Sequence, residues 1–405
     1  MSPFSSFFLI LLVAVIFSQI FTRMKIPWVV SLIIGGIILG PSGLDMFEPD
    51  QTIEFLATIG LVFLMFMAGL ESRLTSTKGM KKRLVLTSLL IGAVPALTGI
   101  AITLAFGYEM ETAVLMGIIF MSSAIALLIP QLQSQKIIGT DIGRVLVGSA
   151  VTVDALSLVL LSIYLQSVTT SFSPITLLMY GGLVVLIAFI GWLIPKVRWL
   201  AFSVRQPVEQ DLFEKELRFI VLVLIGFVVL FEVVGLHSII AAFFAGLVLS
   251  GTVKNSLIKA KLHAISYGFL VPVFFVVIGA QTDLSVFGEG FGALFLTVSI
   301  VVGLIASKTF SGWLAGRLGE FSNREGVFLG VASMPQLSTS LAVAFLGFGE
   351  GLLDQSLLAA IIALSIVTAT VAPIVATALG RDIAPQEGVA EKTTDGEEEY
   401  AEKST

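Results

Sequence analysis

Thirteen long apolar runs constrain the fold of this chain more strongly than any other feature. Each is about as long as the roughly 20 apolar residues that a helix needs to cross a bilayer. The composition agrees, because 56% of the residues are hydrophobic and 13% are charged, against about 25% charged in soluble proteins. The sequence therefore predicts an all-α polytopic membrane protein with 13 transmembrane helices. The runs are approximately 6–22, 27–42, 52–70, 83–106, 112–132, 143–167, 174–195, 216–235, 237–251, 263–283, 290–316, 324–348 and 354–379.

Basic residues test this count independently of hydropathy. Of the 23 lysines and arginines, all but Lys308 fall in odd-numbered connections, at the run ends that border those connections, or in the tail. The positive-inside rule then places the N-terminus outside and the C-terminus in the cytoplasm of a cell (inner or cytoplasmic) membrane. Residues 381–405 are rich in acids and poor in large apolar residues, which predicts a disordered acidic cytoplasmic tail.

An internal repeat is visible at an offset of 210 residues. The motif at 36–40 matches that at 246–250, and Gly69 matches Gly279 at the ends of two further runs. Seven runs separate the copies, an odd number, so the second copy is inverted, as in many secondary transporters. Chance similarity between glycine-containing apolar runs is the alternative. If the repeat holds, the fifth and twelfth runs are expected to be discontinuous helices near 121–130 and 333–340.

Asp154 lies close to the middle of the sixth run. An ionised group at this depth costs at least about 3 kcal/mol on insertion scales, so we expect it to bind a proton or a cation in turn. Lys308 is the other charged side chain deep in a run, and it either supports the fold or the site or carries a proton. An Asp154–Lys308 ion pair that only holds helices together is the alternative to a functional site. Ser122 and Ser123 are candidate oxygen ligands, unless their hydroxyls bond back to their own helix. Glu232, near a run end, either guides ions at the outer mouth or is simply solvated.

Other classes of protein fit the sequence less well. The chain has no cysteine and two distant histidines, which gives no pattern for a metal cluster or a thiol nucleophile. One intramembrane aspartate cannot form a catalytic dyad, so an enzyme is not expected. An ion channel would need a continuous polar pore or a charged ring. A channel and a transport-deficient sensor or regulatory subunit remain the alternatives to a transporter; a cofactor or nucleic acid is not expected.

Four motifs carry a family resemblance. They are Arg-Met-Lys-Ile-Pro at 23–27, Gly-Gly-Ile-Ile-Leu-Gly-Pro-Ser-Gly at 35–43, Leu-Met-Phe-Met-Ala-Gly-Leu-Glu at 64–71 and Val-Pro-Val-Phe-Phe-Val-Val-Ile-Gly at 271–279. In combination they resemble the monovalent cation/proton antiporter superfamily, nearest the bacterial sodium/proton exchangers and potassium-efflux systems. The resemblance implies an exchanger domain over 1–380, built from a core (about 83–167 and 290–379) and a panel (about 6–70 and 216–283) that forms a homodimer. It also implies crossing discontinuous helices and alternating access.

The resemblance also assigns site residues. Asp154 falls on the family's ion-binding aspartate and Lys308 on its basic residue. Val153 stands where the family usually has a polar residue, leaving Thr152 as the nearest polar neighbour, and Gln336 stands in a region that often carries a carboxylate. Together with Ser157, Gln336 is a possible accessory residue. A lone carboxylate that swaps one proton for one Na⁺, K⁺ or Li⁺ moves no net charge, so the sequence predicts electroneutral exchange.

Overall fold

Every regular element of the chain is a helix in a computed structural model that describes residues 2–23, 26–72, 80–169, 214–253, 255–288 and 291–381, with Trp192, Lys196 and Ile383. A π-helical turn (Ser266–Leu270) joins two of the helices. The predicted seventh span and the predicted acidic tail lie outside the described residues, apart from isolated positions. The helices are α1 (Pro3–Arg23), α2 (Trp28–Leu39), α3 (Gln51–Glu71), α4 (Lys81–Ala105), α5 (Met110–Met121), α6 (Ile125–Ser134), α7 (Asp141–Thr169), α8 (Lys215–Val233), α9 (Ser238–Ser250), α10 (Ser256–Ile265), α11 (Val271–Ala280), α12 (Phe291–Leu318), α13 (Asn323–Ala332), α14 (Ser338–Gly349) and α15 (Gln355–Gly380).

Helices occupy the twelve predicted runs whose residues the structure describes. In that part of the chain, eight helical stretches have the length and apolar composition needed to cross a membrane. Three shorter apolar helices, α2, α9 and α14, accompany them. The hydropathy pattern therefore located most of these helices, but it did not predict α10, which begins in the connection before the run at 263–283.

Polar caps fix where several of these helices begin. The Asp50 carboxylate accepts a hydrogen bond from the Ile53 N–H at the start of α3 (2.9 Å). Ser322 and Glu325 form a reciprocal capping box at the start of α13. Such caps satisfy N–H groups that have no acceptor inside the helix, and each contributes about 1 kcal/mol. They lie in the connections, where the apolar runs stop.

Two apolar runs are interrupted in the middle. Residues 122–124 separate α5 from α6, and residues 333–337 separate α13 from α14. The interruptions touch each other, because the Ala124 N–H donates a hydrogen bond to the carbonyl oxygen of Pro335 (2.8 Å). A backbone group freed by one helix break is thus satisfied by the other, as an apolar environment requires.

Four glycines allow helices to pack backbone against backbone. Gly36 and Gly279 bring α2 against α11, while Gly246 and Gly69 bring α9 against α3. Gly36 and Gly246 are 210 residues apart, and so are Gly69 and Gly279. The packing therefore follows the offset found in the sequence. A Cβ at Gly36, Gly246, Gly279 or Gly69 would collide with the carbonyl oxygen of Val276, Phe66, Ile33 or Phe243, respectively.

The helices contact one another in two groups. In one, α2 packs on α1 and α11, and α3 packs on α9, which also contacts α8. In the other, α4 packs on α5, α7 and α12, and α12 also packs on α13 and α15. The interrupted pairs α5/α6 and α13/α14 lie where the second group meets the first, with α14 contacting α3.

Candidate functional site

The Asp154 carboxylate lies in α7 and is 1% exposed. Its Oδ1 accepts hydrogen bonds from the Ser122 hydroxyl (2.8 Å) and the Ser123 N–H (3.2 Å). Its Oδ2 accepts one from the Thr339 hydroxyl (3.2 Å). Donors at the first interruption therefore bind one carboxylate oxygen. A donor at the start of α14, just after the second interruption, binds the other oxygen.

Local backbone geometry explains why these donors are available. Ser122 ends α5 with an extended conformation (φ −55°, ψ 162°), which turns its hydroxyl and the next N–H away from the helix axis. Thr339 lies in the first turn of α14. Helix N-termini carry a partial positive charge and N–H groups without intrahelical acceptors. The carboxylate is thus placed beside the first turn of α14, where a negative charge is favoured, and against the segment that precedes α6.

Lys308 of α12 is fully buried and binds the C-terminal end of α5. Its Nζ donates to the carbonyl oxygens of Met121 (2.8 Å) and Ser122 (3.0 Å) and to the Ser123 hydroxyl (3.3 Å). Carbonyls at a helix C-terminus lack intrahelical donors and attract cations. Among the ion pairs of the described residues, none joins Lys308 to Asp154. Lys308 and Asp154 therefore both form hydrogen bonds with the segment 121–123 without a direct salt bridge between them.

Gln336 braces the two interruptions. Its side-chain Nε2 donates to the Ser122 carbonyl oxygen (2.7 Å), and its Oε1 accepts from the Ser340 hydroxyl. Its backbone N–H donates to the hydroxyl of Thr368 in α15 (3.1 Å). All of these residues are buried, so the amide links three helical segments in an environment without competing water.

Other predicted residues lie apart from the carboxylate oxygens. The Thr152 hydroxyl donates to the Gly148 carbonyl of its own helix (2.7 Å) and its side chain is on an exposed face. The Ser157 hydroxyl donates to the backbone carbonyl of Asp154 (2.8 Å). Glu232 is exposed near the end of α8. The Ser123 hydroxyl turns to the Ser333 carbonyl (2.8 Å), so only its N–H reaches Asp154.

Thr339 is the contact that sequence reasoning did not single out. The segment 333–340 was predicted to be irregular, but it contains several hydroxyls that the sequence cannot rank. The available signal was symmetry, since this segment is related to 123–130 by the 210-residue offset. Only the fold shows that Thr339, 185 residues from Asp154, is the one that reaches the carboxylate.

Two cavities lie toward opposite ends of α3. The first, of about 840 Å³, is lined by Leu64, Leu127 and Glu71 among others, and it reaches Ser338, the neighbour of Thr339. The second, of about 810 Å³, is lined by three acids, Glu48, Glu54 and Asp283. The Asp283 carboxylate also accepts a hydrogen bond from the Ser285 N–H (2.8 Å). Negative charge at such a mouth attracts cations.

Comparison with known proteins gives a family and a fold. The family model "Sodium/hydrogen exchanger, transmembrane" matches residues 8–381. The probable Na⁺/H⁺ antiporter 3 of Methanocaldococcus jannaschii is 30% identical over 373 residues, which cover 91% of this chain and 94% of that protein. The Na⁺/H⁺-K⁺ antiporter GerN of Bacillus cereus is 26% identical over 369 residues, covering 90% and 93%.

A solved structure is similar over nearly the whole chain. It is the sodium proton antiporter MjNhaP1 from Methanocaldococcus jannaschii at pH 8, with a TM-score of 0.68 and 17% sequence identity. The match covers 94% of this chain and 97% of the other. At this identity the similarity establishes the fold. All three of these similar proteins are named as transporters rather than as enzymes.

Proposed function

Because this chain belongs to the sodium/hydrogen exchanger family and is a multi-pass membrane protein, we propose that it exchanges a monovalent cation for H⁺, with Asp154 binding the two in turn. Na⁺ is the first candidate. K⁺ is the second candidate, because the Bacillus cereus relative is named as an Na⁺/H⁺-K⁺ antiporter.

One observation carries this proposal. The Asp154 carboxylate is buried and receives hydrogen bonds from neutral donors, while Lys308 is bonded to carbonyl oxygens instead. A buried charge costs several kcal/mol unless it is paired. A proton or a metal cation on the carboxylate removes that cost, and the two exclude each other. This exclusion is the physical basis of antiport.

The residues around Asp154 favour electroneutral exchange. Val153, the adjacent residue, is buried and apolar and cannot titrate. With one carboxylate in the site, Asp154 binds either one H⁺ or one monovalent cation, so the number of bound positive charges is the same in both forms. One cation therefore moves for one proton.

Alternating access supplies the transport step. Helices of the core, about 83–167 and 290–379, move against a panel formed by about 6–70 and 216–283. The contact between the interruptions supports crossing discontinuous helices in the fifth and twelfth of thirteen spans. The paired glycine contacts support an inverted repeat. One cavity lies toward each end of α3, and the one at the Glu71 end extends to Ser338, next to Thr339.

The remaining features of the proposal follow from the charge pattern and the exposed surface. The N-terminus lies outside and the C-terminus in the cytoplasm of the cell membrane. The panel forms a homodimer, supported by the apolar face that α1 leaves exposed at Phe4 and Phe8. No resident cofactor takes part, because the cation is the cargo.

Proteoliposomes that enclose a pH-sensitive dye test the proposal. Addition of Na⁺, K⁺ or Li⁺ outside should drive proton movement in the parent protein and in Asp141→Asn, which removes an exposed carboxylate of the same helix. Asp154→Asn should show none. Proton flux that persists in Asp154→Asn would refute the mechanism, and a rate that follows an imposed membrane voltage would refute electroneutrality.

The same assay separates the alternatives. A channel would give non-saturating flux that follows voltage, whereas an exchanger saturates with cation concentration. A transport-deficient sensor would give no cation-driven proton flux in the parent protein.

A further inference from the structure

Backbone carbonyls freed at the interruptions are already engaged by protein donors. The Ser122 carbonyl oxygen accepts from both Lys308 and Gln336, which occupies its two lone pairs. The Met121 carbonyl accepts from Lys308. On the second interruption, the carbonyls of Ser333 and Pro335 accept from the first. These four oxygens hold the two interruptions together, and the groups that touch the Asp154 carboxylate itself are the next candidates for ligands of a cation.

Two hydroxyls remain against the carboxylate, one on each of its oxygens. Ser122 Oγ lies 2.8 Å from Oδ1 and Thr339 Oγ1 lies 3.2 Å from Oδ2. A hydroxyl both donates and accepts, so each can donate to the empty carboxylate and then turn its lone pairs toward a bound cation. The Ser123 N–H can only donate and supplies no ligand.

We infer that Thr339 is a cation ligand and the residue that sets the preference among alkali cations. The cation lies between the hydroxyls of Ser122 and Thr339, against the Asp154 carboxylate. Because these hydroxyls come from two different interrupted spans, the gap between them depends on how the spans are braced. Selectivity between similar cations depends on cavity size, ligand number and rigidity. The inference rests on the proposed function and adds the residue that determines its specificity.

Two features hold the Thr339 hydroxyl in place. Threonine is β-branched, so its χ1 has few accessible rotamers. Its neighbour Ser340 is bonded to Gln336, which is in turn bonded to Ser122 on the other side of the site. The distance between the two ligand hydroxyls is therefore fixed by a chain of buried contacts.

Three variants at two positions test this inference in proteoliposomes. Thr339→Val keeps the shape and removes the hydroxyl, and should raise the KM for each cation about tenfold, as expected for the loss of one interaction with a charged group, while kcat changes less. Thr339→Ser keeps the ligand on a freer side chain, and should retain exchange while shifting the ratio of the Na⁺ and K⁺ KM values toward one. Thr103→Val is the matched control, because the buried Thr103 hydroxyl donates to Gly99 of its own helix; its KM values should equal those of the parent.

The outcomes separate this inference from the proposed function. Parent KM values and an unchanged cation ratio in Thr339→Val, beside an inactive Asp154→Asn, would overturn the role of Thr339 and leave the exchange mechanism standing. Exchange in Asp154→Asn would overturn the proposed function itself. If Thr339→Val does not fold, Thr339→Ser provides the test. An unchanged ratio of the Na⁺ and K⁺ KM values in Thr339→Ser would contradict the inference.

Discussion

The two buried charges of the site, Asp154 and Lys308, are not paired with each other, and each contacts a different helix end. Lys308 binds the carbonyls that end α5, and Asp154 binds the Ser123 N–H, just before α6, and the Thr339 hydroxyl in the first turn of α14. Each charge thus meets the helix-dipole end of opposite sign. Lys308 is accordingly placed to support the interrupted segment, and in the proposed mechanism Asp154 alone changes its occupant.

Replacement of Lys308 by glutamine should destabilise the protein. The carbonyls of Met121 and Ser122 would lose a charged donor in a buried environment, where such hydrogen bonds contribute about 1.5–3 kcal/mol. We expect a lower Tm for Lys308→Gln in thermal unfolding of the detergent-solubilised protein. Lys82→Gln, on an exposed residue, should change stability by less than about 0.5 kcal/mol. An unchanged Tm in Lys308→Gln would show that the buried ammonium does not support α5.

The sequence predicted the charged part of the site better than its neutral part. Asp154 and Lys308 were recognisable because a charge inside an apolar run is costly and therefore rare. Ser122 and Thr339 are hydroxyl residues, which cost little in a helix and are common in this chain. Whether a hydroxyl faces the carboxylate, like that of Ser122, or its own helix, like that of Thr152, depends on where the helix breaks.

Helix positions were predictable, but the points of interruption were only partly so. Pro335 lies in the second interruption, as the sequence suggested, whereas Pro130 lies inside α6 and the first interruption precedes it at 122–124. A proline removes only one hydrogen bond from a helix. The first break is placed instead by its contacts with Pro335, Lys308 and Asp154, which are distant in sequence.

Glycine packing gives a prediction at the scale of helices. Gly36→Ala and Gly246→Ala should each destabilise the protein by about 1–3 kcal/mol, because the added methyl group meets a backbone carbonyl that cannot move independently. The two effects should be similar, since the positions are equivalent by the 210-residue offset. Gly226→Ala in α8 is the control: its Cβ meets open space, and alanine favours helix. A Gly246→Ala protein as stable as Gly226→Ala would contradict the close contact.

At the scale of the whole molecule, the proposed exchange mechanism requires the two helix groups to move. The first cavity lies between Leu64 of α3 and Leu127 of α6 and extends to Ser338, next to Thr339. The sequence showed the repeat, and the structure shows that its matched glycines are the points where helices pack closely. The shape of this cavity could not be anticipated from sequence, because it depends on how far apart the two groups lie in one state of a cycle.

A bulky group in this cavity should stop exchange. The chain has no cysteine, so Leu127→Cys would introduce a single thiol into the cavity. A charged thiol reagent should block its exchange when applied from the side of the Glu71 end of α3, which the charge pattern places in the cytoplasm. Leu44→Cys, in the exposed connection after α2, should react from the other side without loss of exchange. Reaction of Leu127→Cys without inhibition would show that the cavity need not close.

Proton release on cation binding is the most direct test of the central claim, that one buried carboxylate holds either H⁺ or the cation. Calorimetric titration of the detergent-solubilised protein with Na⁺, in buffers of different ionisation enthalpy, measures this release. We predict a release that approaches one proton per cation at acidic pH, where Asp154 is protonated beforehand, and falls toward zero as the pH rises; Asp154→Asn should release none. Cation binding without proton release at every pH, or the same release from Asp154→Asn, would contradict the account.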